Sequence, residues 1–244
     1  MKKTAALLLL LSVLLSCNGQ DAKITKVAYV QKLEYGLKGA VKEVTSYIYR
    51  VENEKIPVNN GNYIGKITMT LDSLGNVMTI HKLWDFDRNP STKIDNAEFT
   101  SHFFGKGKDI SFKETSRYSD GDLKEIEHKY VWSDDYNYTI ITQDDNAHST
   151  LITLDKEYQL SKSIFKGDNM QSVEEWETIS KNNKIQEIKT KITQNLEGKT
   201  TVTYQIQAVQ EYDKYGNPTV LYGYQNLSKE KVENVIYKEY KYYE

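Results

Sequence analysis

Near its end the chain carries the phrase Tyr212-Asp213-Lys214-Tyr215-Gly216-Asn217-Pro218-Thr219, set between two alternating runs. Before it, Val202, Tyr204, Ile206, Ala208 and Tyr212 share one parity, and after it come Val220, Tyr222 and Tyr224. A side-chain period of two belongs to a half-buried strand, so the stretch predicts strand, tight turn, strand. Aspartate favours the first position of a type I turn. Glycine at the fourth tolerates the left-handed backbone that lets the two strands pair. The phrase recurs as Leu71-Asp72-Ser73-Leu74-Gly75-Asn76, again between alternating runs. Gly75 and Gly216 are therefore expected in left-handed positions. A third copy, Leu154-Asp155-Lys156-Glu157-Tyr158-Gln159, lacks the Gly-Asn pair and predicts a turn of another type.

The same pattern runs through most of the chain. Ile126, His128, Tyr130 and Trp132 oppose Glu125, Glu127 and Lys129, and Ile188, Thr190 and Ile192 follow an Asn-Asn turn. Nineteen tyrosines and only three prolines suit strands better than loops. The spacing predicts an all-β antiparallel meander of roughly 12–14 strands, one large twisted sheet curled into a half-barrel or open barrel. Residues 37–244 read as a single domain.

The N-terminus addresses a different question. Lys2 and Lys3 precede an apolar run from Thr4 to Leu15 that is too short to span a bilayer, which marks an export signal. The run ends in Leu14-Leu15-Ser16-Cys17, and Cys17 is the chain's one cysteine. This resembles the lipobox of bacterial lipoproteins. The resemblance implies cleavage after residue 16, acylation of Cys17, and export to the outer membrane of a Gram-negative cell envelope. Cleavage removes two lysines and moves the formal charge from -2 to -4. Residues 17–36 read as the lipidated start and a tether. With a lone cysteine no disulfide forms within the chain, so packing alone must hold the fold.

The turn phrases resemble the tyrosine–aspartate (YD) repeats of Rhs-type proteins, whose hairpins stack into a curling antiparallel sheet. Small YD-like lipoproteins similarly join a lipobox to such hairpins and to an opening like Leu37-Lys38-Gly39-Ala40-Val41-Lys42. The resemblance implies a curled meander and supplies no catalytic residue.

Charged residues are 27% of the chain and nearly balanced, so the composition predicts no nucleic-acid partner. His81, His102, His128 and His148 lie far apart and show no metal-ligand spacing, and no nucleophile elbow or phosphate loop is present. No cofactor, metal or enzymatic activity is expected. The acidic clusters fall at turns, where aspartate bonds to the backbone. The longest polar interruption follows Trp84, and Trp84, Asp85, Phe86 and Asp87 are the expected ligand contacts, with flat rings beside carboxylates. The sequence thus points to a non-enzymatic, lipid-anchored module that binds an envelope glycan or protein. The alternatives are a carrier of acyl chains in a concave sheet and a glycan hydrolase with paired carboxylates.

Overall fold

The computed structural model describes residues 28–85, 96–119, 121–142 and 145–244. Phe86, Asp87, Cys17 and the signal segment lie outside the described residues. Among those described, fourteen antiparallel strands follow one another around a closed barrel. They are β1 (Val41–Arg50), β2 (Gly65–Leu71), β3 (Val77–Asp85), β4 (Asn96–Lys106), β5 (Asp109–Tyr118), β6 (Leu123–Trp132) and β7 (Asn137–Thr142). The remaining seven are β8 (Asp145–Leu154), β9 (Leu160–Lys166), β10 (Met170–Lys181), β11 (Lys184–Leu196), β12 (Lys199–Tyr212), β13 (Pro218–Tyr224) and β14 (Asn234–Tyr242).

Each strand pairs with the next, and β1 pairs with β14 from Val41 opposite Tyr242 to Arg50 opposite Asn234. The expected half-barrel or open barrel is therefore corrected to a closed one. An open sheet would leave two rows of unpaired backbone groups, and closure removes both edges. The ends of the barrel differ. One carries the tight aspartate turns, and the other carries the longer connections 51–64 and 225–233.

The aspartate turns share one hydrogen-bond scheme. The Asp72 carboxylate accepts from the backbone N–H groups of Leu74 and Asn76, both at 2.9 Å, and the Gly75 N–H donates to the Asp72 carbonyl at 3.0 Å. Asp213 does the same with Tyr215, Asn217 and Gly216. Gly75 and Gly216 have φ of 93° and 84°, the left-handed region expected of them. The turn at Asp155 corrects the sequence reading. It is the same turn, with Glu157 and Gln159 donating to the Asp155 carboxylate at 2.9 and 2.8 Å. Tyr158 takes the glycine's place at a φ of 63°. The carboxylate organises this turn, and the fourth residue tolerates strain when its ring is well packed. Tyr158 is buried and lies against Tyr29 and Tyr136.

Residues 28–39, read from the sequence largely as tether, dock at this turn-bearing end. A single 3-10 turn, Gln31–Leu33, lets the segment reach successive hairpins. The Val77 N–H donates to the buried Gln31 side chain at 2.9 Å, and the Lys32 N–H donates to the Gly75 carbonyl at 3.0 Å. Farther on, the Lys38 N–H donates to Asn217 Oδ1 at 2.8 Å, and Asn217 Nδ2 donates to the Lys38 carbonyl at 3.0 Å. The side chain of Asn217 thereby extends backbone pairing to a segment that is not a strand. Tyr29 and Leu33 join the buried cluster of Ile110, Tyr130, Tyr138 and Ile152, while Leu37 joins that of Val44, Met69 and Ile80.

Strand registers sort side chains into an inner and an outer face. Val44, Met69, Ile80, Ser101, Glu114 and Ile126 stand opposite one another across β1 to β6, on the parity against which the docked segment packs. The other parity carries Thr45, Thr68, His81, Thr100, Thr115 and Glu125. Ion pairs belong to this outer set: Glu43–Lys241 at 2.9 Å, His81–Glu98 at 2.8 Å and Lys113–Glu125 at 2.7 Å. Glu175 lies between Lys162 and Lys191, at 3.3 and 3.5 Å. At β12 the polarity reverses. The registers put Val202, Tyr204, Ile206 and Ala208 on the outer parity and Thr203, Gln205 and Gln207 on the inner one. The neighbouring outer face is partly covered, because Tyr237 donates to the Pro57 carbonyl and Tyr49 to Asn59 from the 51–64 connection.

Candidate functional site

Inner-face side chains leave hollows in the barrel. One of about 430 Å³ is bordered by Phe112, Ile126, His128, Ile140, His148 and Phe165, with Glu114 at its margin. Alternation on β5 through β9 places these residues together, and the Phe112 ring stacks on His128 at 4.5 Å. Burial pushes the His128 imidazole below its usual pKa, and the nearby Glu114 carboxylate only partly offsets this. A neutral imidazole can donate and accept hydrogen bonds, here amid apolar rings. Thr142 Oγ1 lies 3.4 Å from His128 Nδ1, and Ser101 donates to Glu114 at 3.2 Å. The hollow is apolar with a few convergent polar groups, the chemistry of a small-ligand pocket.

Nearer the docked segment lies a smaller hollow of about 190 Å³, bordered by Glu34, Tyr35, Trp176, Ile188 and Gln207. It adjoins another of about 470 Å³, with which it shares Trp176, Thr178, Gln159 and Ile185. Glu34 accepts hydrogen bonds from the Tyr29 hydroxyl and from the Tyr138 hydroxyl, the latter at 3.0 Å to each carboxylate oxygen. Burial pushes the Glu34 carboxyl up to about 7, against the two tyrosine bonds that pull it down. The Lys238 ammonium, on the inner parity beside Ser46, is held below its ordinary pKa by burial.

A third hollow, of about 450 Å³, opens at the other rim between Tyr63, Trp84, Asp85, Glu98, Arg117 and Tyr118. Trp84 and Asp85 end β3; they are strand residues rather than members of the loop expected there. Trp84 lies opposite Gly65, and a Cβ on that glycine would come within 2.6 Å of its ring. The glycine therefore seats the indole. Of the expected contacts, Trp84 and Asp85 border one hollow, whereas Phe86 and Asp87 lie outside the described residues. Gly75 and Gly216 belong to turns at the opposite end.

Sequence reasoning missed the inner-face group of Glu34, Tyr138, Trp176, His128 and Glu114. One signal was present: Tyr29 and Leu33 within the supposed tether, and Leu37 just beyond it, recur every four residues, an apolar spacing that a solvated linker has no use for. Among the described residues, no group of three His, Cys, Asp or Glu side chains is placed to hold a metal ion.

No family model matches the chain, and no curated protein matches it. Among solved structures, it is similar to one described as a porin-like protein from Bacteroides uniformis ATCC 8492, at 11% identity and a TM-score of 0.42. The match covers 84% of this chain and 99% of that one.

Proposed function

We propose that this chain is a lipid-tethered barrel that stands in an aqueous compartment of the cell envelope and holds a small amphipathic ligand in its lumen without transforming it. One observation carries the reading: rings and aliphatic chains surround the hollow at Phe112 and Phe165, while paired charges occupy the outer face of β5 and β6, of β9 to β11, and of β14 with β1, the apolar outer side chains being those of β12. A barrel embedded in lipid needs the reverse, with an apolar band outside and a polar interior. A lysine facing hydrocarbon at the bilayer midplane costs about 2–4 kcal/mol. Lys113, Lys162 and Lys191 lie within β5, β9 and β11 on the outer parity, so that penalty would recur around the wall. An acylated Cys17 would supply the membrane attachment, because two or more buried acyl chains anchor stably at roughly 0.8 kcal/mol per methylene.

The pocket's chemistry favours the carrier among the sequence-based alternatives. It joins apolar walls to His128, His148, Glu114 and Thr142, which suits a ligand with an apolar body and a hydrogen-bonding end. The test is titration of the purified barrel with the fluorescent amphiphile N-phenyl-1-naphthylamine. Saturable enhancement, abolished in a folded Ile140→Arg variant that fills the hollow, supports lumenal binding. Enhancement that survives in Ile140→Arg, or never saturates, removes it. Mass spectrometry of the recovered ligand tests the absence of chemistry, and a cleaved product would make the chain an enzyme.

A further inference from the structure

Glu34 combines features that a purely structural carboxylate does not need together. It borders a hollow, its described partners are two neutral hydroxyls, and burial works against its ionised form. Elsewhere in the barrel, carboxylates on the outer face are met by lysine: Glu43 by Lys241, Glu125 by Lys113, Glu175 by Lys162 and Lys191. Inside, the cationic partner is missing from the described contacts of Glu34, and its place is taken by open space. The rings of Tyr35 and Trp176 border that same space, and Tyr35 is 44% exposed beside the half-buried Glu34.

Aromatic rings attract a cation through their negative faces, and the attraction grows when water is excluded. A carboxylate in the same low-dielectric hollow attracts it further. The three groups together reject a neutral molecule of equal size only by what they fail to gain, and reject an anion outright. Resting on the lumenal reading above, we infer that the hollow between Glu34, Tyr35 and Trp176 binds a small organic ammonium group. The ammonium sits against the carboxylate and rings, and the rest of the ligand extends into the adjoining space of about 470 Å³. That space is polar and charged at its walls, with Gln159, Ser161 and Thr178 beside Asp155, Glu157 and Lys38, so hydroxyl or amide groups on the ligand would find partners there.

The titratable groups facing Glu34 are Tyr29 and Tyr35 of its own segment and Tyr130 and Tyr138 of β6 and β7. All four are tyrosines whose hydroxyls burial holds in the neutral form across the ordinary pH range. Glu34 is then the group whose charge changes near neutrality, and the bound cation stabilises its ionised form.

Calorimetric titration of the full barrel with choline and with its uncharged carbon isostere, 3,3-dimethylbutan-1-ol, tests the assignment. Choline is expected to bind saturably, at least tenfold tighter than the isostere, and tighter at pH 8 than at pH 6. Glu34→Gln keeps one carbonyl oxygen that can accept from both tyrosines and should weaken choline at least tenfold with the fold intact. Trp176→Leu, a second variant remote from the docked segment, should weaken it as well. Equal binding of the isostere, unchanged binding by folded Glu34→Gln, or no choline binding at all would overturn the inference. If the naphthylamine probe still enters the hollow at Phe112 while choline fails, the ammonium site falls alone. If both ligands fail, the lumenal reading falls with it.

Discussion

Replacing Tyr158 by glycine sets two structural effects against each other. The residue holds a φ of 63°, which costs an L-amino acid about 1–2 kcal/mol and glycine almost nothing. On backbone grounds alone the substitution should stabilise. The ring, however, is only 5% exposed and lies 5.7 Å from Tyr29 and 5.3 Å from Tyr136. Deleting a buried aromatic side chain costs about 3–5 kcal/mol, and glycine adds roughly 0.5–1 kcal/mol of backbone entropy. The net expectation is a loss of about 2–4 kcal/mol. For a barrel of this size each kcal/mol shifts the midpoint by about 2–4 °C, so scanning calorimetry should show a drop of roughly 4–16 °C. Tyr158→Phe keeps both ring and strain and should remain within about 1 kcal/mol of the parent. A cycle with Tyr29→Ala measures the ring pair itself, expected at about 0.5–1.5 kcal/mol. A Tyr158→Gly variant as stable as the parent would mean that relief of strain offsets the lost packing in full, which contradicts packing as the source of this turn's stability.

Other outcomes follow from the same structure. Gly216→Val should cost about 1 kcal/mol or more, since its φ of 84° is left-handed while nothing lies closer than 3.7 Å to an added Cβ; Lys214→Val should cost less, and equal melting shifts would refute the turn assignment. Cys17→Ala should abolish acyl labelling and release a barrel that stays monodisperse without detergent, whereas a detergent requirement would contradict the aqueous outer face. The Glu34 carboxyl is raised to about 7 in the fold against about 4.3 unfolded, so its contribution to stability is lost as pH rises between those values. Glu34→Gln should therefore gain in relative melting temperature from pH 5 to pH 8, and a constant difference would show that the buried carboxyl titrates normally.

Much of this architecture was legible because its signals are local. Alternation and the Asp-x-x-Gly-Asn phrase are written within ten residues, and β2–β3 and β12–β13 lie where they place them. Closure was not legible, because pairing of β1 with β14 joins residues almost two hundred positions apart. The turn at Tyr158 was misread for another reason: Asp155 specifies it, and packing from Tyr29 and Tyr136 stabilises a φ that propensity alone rejects. Alternation also left the faces undecided. On β6 the apolar parity points inward, but on β12 Val202, Tyr204, Ile206 and Ala208 point outward, and only the registers distinguish the two cases. The inner-face group at Glu34 was hidden by composition, since a short polar-looking stretch beside an anchor reads as linker.

That stretch also joins the two ends of the functional reading. A flexible tether would leave an anchored barrel free to turn against the membrane. Here the chain passes from position 28 into contacts with β3, with the Asp72 turn and with the Asp213 turn, so a pull from an acylated Cys17 would be borne by the two hairpins that flank the β1–β14 pair. Glu34 and Tyr35 belong to this same segment and border the lumen. Occupancy of the hollow and seating of the segment are consequently one equilibrium, because a ligand that binds only the docked form stabilises docking by its binding free energy. The physical requirement is modest: the segment needs to undock locally at a cost of a few kcal/mol, while the barrel, closed by backbone pairing around its whole circumference, stays folded.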